Sequence, residues 1–145
     1  MYAKGCRMGF GLVVALGSAG CGQDLGIPAD PSAATPTVSG TYDWTATIQG
    51  ASPGLGLGTI TFAQDGDVVT ITDTTHGNPA DRDLMGSATF EGNVLVMQMV
   101  PRNGDPDYTA DVTFRFTADG SRFDVDFTDS NNDFGPAFGV RRSGE

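Results

Sequence analysis

The chain reads as an all-β protein, a single antiparallel up-and-down meander of eight short strands that closes into a barrel. Three observations predict this. From about Val38 onward apolar residues recur with period two rather than 3.6, the spacing of strands with one buried and one wet face. Residues that tolerate positive φ punctuate the alternation at Asp65-Gly66, Glu91-Gly92-Asn93, Asp119-Gly120 and Asn131-Asn132, as hairpin turns require. No helix-length amphipathic segment follows the N-terminal region.

That region comes first in order. Lys4 and Arg7 precede an apolar run from Met8 to Leu16, about half the roughly 20 residues a membrane-spanning helix needs. A basic start and a short apolar run describe an export signal rather than an anchor helix. The run leads to Ser18-Ala19-Gly20-Cys21, which resembles the lipobox of bacterial lipoproteins, where the cysteine becomes the lipid-bearing first residue of the mature chain. Ala19, Gly20 and Cys21 match; Ser18 stands where leucine is usual, and the nearest leucine is Leu16. The resemblance implies a signal peptide over 1–20, a palmitate-type lipid on Cys21 and a membrane as partner. Gly22 and Gln23 follow Cys21 with no acidic residue, which by the same resemblance implies the outer membrane. Ordinary cleavage after Gly17 or Ala19, giving a secreted or periplasmic protein, is the alternative.

Residues 21–38 are rich in Pro, Ala, Gly and Thr without apolar periodicity, and read as a flexible tether. A coil of about 16 residues reaches about 20–25 Å.

The barrel domain spans 39–142. The first strand, 39–49, alternates Tyr42, Trp44, Ala46 and Ile48 with Thr41, Asp43, Thr45 and Thr47. Before the second, 57–64, stands Gly54-Leu55-Gly56-Leu57-Gly58. A phosphate-cradling loop opens a helix, whereas this one enters Thr59-Ile60-Thr61-Phe62, so its glycines read as a bend or bulge. The third strand, 67–73, precedes a polar loop over 74–83. There His76, Asp81 and Asp83 are residue types that could ligate a divalent ion, although nothing in their spacing fixes a geometry. Strands four and five cover 84–91 and 93–100; Val94 to Val100 is apolar on both faces. That run is either covered by the 74–83 loop or the tether, or offers a contact patch. Strands six and seven, 107–117 and 122–129, alternate cleanly. The following Asp129-Ser130-Asn131-Asn132-Asp133 lacks the glycine and glutamate of a helix-loop-helix calcium site, with Phe134 and Val140 in their places, and reads as a polar turn into strand eight, 135–142.

The Gly40-Thr41-Tyr42 opening, the repeated hairpins and the ending Phe138-Gly139-Val140-Arg141-Arg142 resemble small bacterial lipocalin-like (calycin-type) β-barrels, many of which are lipoproteins. The likeness covers 39–142. True lipocalins place tryptophan two residues after the glycine; here that residue is Tyr42, and Trp44 lies two further on. The resemblance implies non-catalytic binding of a small apolar ligand inside the barrel. Parity directs Trp44, Phe62, Phe114, Phe116, Phe123, Phe127 and Phe138 inward, with Tyr42 and Trp44 as polar handles. The competing reading is a barrel filled by its own side chains, serving as an envelope interaction or scaffold protein through the strand-five face.

Composition narrows the partners. The chain has 145 residues and 18 acidic ones, all beyond Cys21. Of eight basic residues, Lys4 and Arg7 belong to the signal, leaving six arginines, no lysine and a mature net charge of −12. Such a charge repels nucleic acid. Cys6 and Cys21 are the only cysteines, so the barrel domain has no internal disulfide and depends on its core. No serine sits in a nucleophile elbow and no carboxylate pair is singled out for glycoside chemistry. The sequence therefore predicts neither enzyme activity, nor a cofactor, nor a metal site.

Overall fold

The computed structural model describes residues 25–76, 83–102 and 107–144; Ser18, Cys21, Asn78, Pro79 and Asp81 lie outside them. Eight strands follow one another: β1 (Gly40–Gly50), β2 (Gly54–Asp65), β3 (Val68–His76), β4 (Leu84–Thr89), β5 (Val94–Pro101), β6 (Ala110–Phe116), β7 (Arg122–Asp129) and β8 (Asp133–Arg141). Each pairs antiparallel with the next, and β8 pairs with β1, closing the barrel. Closure removes both sheet edges and with them the aggregation hazard of an acidic, disulfide-free domain.

Alternation sets the inside. Tyr42 and Ala46 on β1, Leu95, Met97 and Met99 on β5, and Val112, Phe114 and Phe116 on β6 are all buried. β5 is thus one-sided: Met97 points into the core, while Val96 is 66% exposed. No described residue of the tether or of the β3–β4 connection covers it. β4 holds β5 through only two register pairs, Leu84–Pro101 and Met85–Val100, making this the shortest ladder of the barrel.

β2 begins earlier than the sequence predicts, because the glycine run is strand. Gly58 and Gly56 pair with Trp44 and Ala46 of β1. The bulge lies elsewhere, at Thr61/Phe62 against β3. The glycines serve packing: a Cβ on Gly58 would meet the Trp44 ring at 2.8 Å and the Thr75 carbonyl oxygen at 1.9 Å, and one on Gly56 would meet Trp44 at 3.1 Å.

The expected flexible tether is corrected over residues 25–38, which are fastened to the barrel as a strap. Leu25 and Ile27 donate their backbone N–H groups to the two carboxylate oxygens of Asp124, each at 2.7 Å. Arg115 Nε donates to the Ile27 carbonyl. Asn93 accepts from Asp30 N and donates to the Pro28 and Phe116 carbonyls. Gln64 accepts from Val38 N and donates to the Pro36 carbonyl. The strap so runs from the outer wall of β6–β7 across one barrel end into β1. Its approach is close: a Cβ on Gly92 or Gly120, both at positive φ, would stand 2.0 Å from the Asp30 carbonyl oxygen or 2.1 Å from that of Thr37.

Candidate functional site

The barrel interior divides into a filled half and a hollow half. At the strap end Tyr42, Phe62, Phe114, Phe116 and Phe123 pack mostly edge to face, with centroids 5.3–6.2 Å apart. Such pairs contribute about 0.5–1.5 kcal/mol each beyond their burial. Phe90 extends this plug against Phe116. Val38 closes it from below.

Tyr42 is committed to that plug and is no handle for a ligand. Its hydroxyl bonds to the Gly120 carbonyl, lies 3.1 Å from that of Val38, and accepts from Arg141 Nε and Nη2 at 3.0 and 2.8 Å. The Arg141 guanidinium stands 5.4 Å from the ring centroid and also donates to the Thr37 and Gly120 carbonyls. Burial holds the Tyr42 phenol above its ordinary value, against the opposing hydrogen bond and charge of Arg141.

At the opposite end the strands enclose a cavity of about 190 Å³. Its wall comprises Trp44, Ala46 and Ile48 from β1, Ile60 from β2, Leu84 and Met99 from β4 and β5, and Ala110, Val112 and Phe114 from β6. Phe123, Val125, Phe127 and Ala137 complete it from β7 and β8. Small residues, Ala46, Ala110 and Ala137, stand in its wall beside the large ones. Polar atoms gather toward the loops, from Thr74, Tyr108, Asp129 and Asp133. Asp129 Oδ1 accepts the N–H groups of Asn131 and Asp133, and its Oδ2 accepts the Tyr108 hydroxyl at 3.1 Å. Asp133 Oδ1 accepts Ser52 N–H at 2.6 Å.

Of the aromatic set predicted from parity, Trp44, Phe114, Phe123 and Phe127 line this cavity. Phe62 and Phe116 face inward but belong to the plug. Phe138 is corrected to the outer face. On β8 the inward residues are Ala137 and Gly139, and Phe138 lies between them, half-buried. Large inward residues do not fit there: a Cβ on Gly139 would stand 2.2 Å from the Phe123 ring. Parity alone could have found Ala137, Asp129 and Asp133, had small and acidic residues been counted with the aromatics.

Of the polar loop residues, Asp81 lies outside the described residues. His76 ends β3, with its backbone opposite Gly58. Asp83 pairs with Arg102 at 2.7 Å and accepts Thr74 N–H. The Asp129–Asp133 segment is a hairpin turn, closed by Asn132 N–H to the Asp129 carbonyl with Asn132 at φ 64.

No family model matches the chain, and no curated protein matches it. Solved structures do. A redesigned β-barrel, mFAP1, bound to DFHBI, superposes with a TM-score of 0.55 at 16% identity, covering 72% of this chain and 94% of that one. A related barrel, mFAP0, also bound to DFHBI, gives 0.54 at 14%, covering 72% and 98%. A de novo designed fluorescence-activating β-barrel gives 0.53 at 13%, covering 72% and 93%. At these identities the likeness shows the fold, a closed antiparallel β-barrel similar to designed fluorescence-activating barrels.

Proposed function

We propose that this protein is a non-catalytic carrier or sensor of a small apolar molecule, held at the bacterial cell envelope by a lipid on Cys21. The observation that supports ligand binding is the apolar cavity of about 190 Å³ in a barrel whose other half is densely filled. An engineered apolar cavity of about 150 Å³ stays dry and takes up benzene, and drug-sized ligands occupy pockets of about 300–1,000 Å³. One ring, two fused rings or a short aliphatic chain matches this volume. The designed barrels of the same fold bound to DFHBI are consistent with ligand uptake by such an interior.

Native mass spectrometry and titration with naphthalene test the reading on the unlipidated chain. The expected result is saturable uptake of one molecule, with a change in the emission of Trp44, the sole tryptophan. Ala110→Phe, which fills the cavity from its wall, is expected to weaken uptake at least tenfold. A barrel that takes up no naphthalene overturns the proposal. The competing reading, an envelope scaffold with a contact face on β5, has less support: Val96 is exposed, but its cross-strand neighbour is Thr113 and Gln98 follows on the same face.

A further inference from the structure

The head group of the ligand is written in the charge of the cavity mouth. By strand parity Asp129 follows Phe123, Val125 and Phe127 on the inner face of β7. Asp133 precedes Gly135, Ala137 and Gly139 on the inner face of β8. Both carboxylates therefore belong to the interior at the loop end, and both line the cavity. Among the described lining residues no cationic side chain opposes them. Among the described arginines, Arg102 pairs with Asp83, Arg115 with Asp126 and the strap, and Arg141 with Tyr42 at the far end.

The two carboxylates are not equivalent. Asp129 is engaged by the turn and by Tyr108, with both oxygens accepting hydrogen bonds. Asp133 uses Oδ1 for Ser52 N–H, and its Oδ2 accepts no hydrogen bond from a described residue. A neutral or anionic head group brought to this mouth would meet acceptors and negative charge. An ammonium would supply a charged donor to Asp133 Oδ2. Trp44, Phe127 and Tyr108 line the same cavity, and an aromatic face attracts a cation within about 6 Å.

Resting on the cavity reading above, we infer that the natural ligand class is a small amphiphilic amine, its apolar body in the barrel and its ammonium at Asp133. The charge-assisted bond to a partly desolvated carboxylate is the stronger kind. It selects among bodies of equal shape, because a head group without a charged donor leaves Asp133 Oδ2 uncompensated.

Three ligands of one body separate the two readings: 3-phenylpropylamine, 3-phenylpropanol and 3-phenylpropanoate, titrated against Trp44 emission and by calorimetry. The expected order is amine at least tenfold tighter than alcohol, with the carboxylate weakest. Asp133→Asn keeps the Oδ1 acceptor for Ser52 and is expected to remove the preference for the amine over the alcohol. If alcohol and amine bind the native protein equally, or the carboxylate binds best, the head-group inference is overturned and the cavity reading stands. If none of the three binds, both are overturned. Thermal unfolding of Asp133→Asn within a degree or two of the native protein confirms that a lost preference is not lost structure.

Discussion

Asp119 shows at the scale of one residue how a hairpin turn is fixed by a single carboxylate. Its Oδ1 accepts the Thr117 hydroxyl at 2.7 Å, the Ser121 N–H at 2.9 Å and the Ser121 hydroxyl at 2.8 Å. These bonds, the Thr117 hydroxyl foremost, lower its pKa from 3.8 to about 2. A depressed folded-state pKa means that the unfolded chain takes up the proton first. The stabilisation is therefore complete above pH 3.8 and is lost as pH falls toward about 2. Asp119→Asn keeps an acceptor oxygen but has no proton to bind. The urea midpoint of the native protein is expected to fall more steeply between those two pH values than that of the variant. Parallel curves would show that Asp119 carries no such linkage. The side chain is fully exposed, so the effect belongs to the slope with pH and will shrink in high salt.

The strap is the element whose behaviour departs most from its composition. Proline-rich, aperiodic sequence normally marks a free linker, because nothing in it can form a ladder or an amphipathic face. Here the fastenings are supplied from afar, by Asp124, Asn93, Gln64 and Arg115, which meet strap backbone atoms 26 to 99 residues away in sequence. Such pairings leave no periodicity to read. Asp124 alternates correctly as an outward residue of β7, yet it is only 1% exposed because the strap covers it. By contrast β1 and β7 were legible nearly to the residue, and β6 except for its start at Ala110, since each carries an uninterrupted run of large and polar residues in alternation. β8 misled because its large residues, Phe134, Pro136, Phe138 and Val140, face outward, while glycine and alanine face the aromatics of β7 and β1. The cavity was legible in part: the sequence shows which aromatics face inward, but not which pack on one another and which border empty space. Asp124→Ala tests the strap directly. It leaves the Leu25 and Ile27 N–H groups without acceptors, each orphan costing about 1–3 kcal/mol where it stays buried. Hydrogen exchange at Leu25 and Ile27 is expected to become fast, with a global loss of about 1–3 kcal/mol by urea unfolding and an unchanged far-ultraviolet spectrum. Retained protection at those two amides would mean that the strap is held by other contacts.

For the whole molecule, the strap changes how the proposed anchor and the barrel relate. A free tether over 21–38 would let the domain roam about 20–25 Å from its lipid. With the chain fastened from Leu25 onward, only the four residue steps from Cys21 remain, which span at most about 14 Å when fully extended. Under the proposed anchor the barrel is held against the bilayer rather than suspended above it. Anchor and fold are nevertheless separable. Every described fastening of the strap lies at Leu25 or later, and the core contains no cysteine. Cys21→Ala is expected to abolish incorporation of labelled palmitate and to move the protein from the membrane fraction to the soluble one. Its thermal unfolding and its affinity for 3-phenylpropylamine should stay at native values. If the variant remains as membrane-bound as the native chain, the lipid anchor is wrong, and attachment must come from the barrel surface itself.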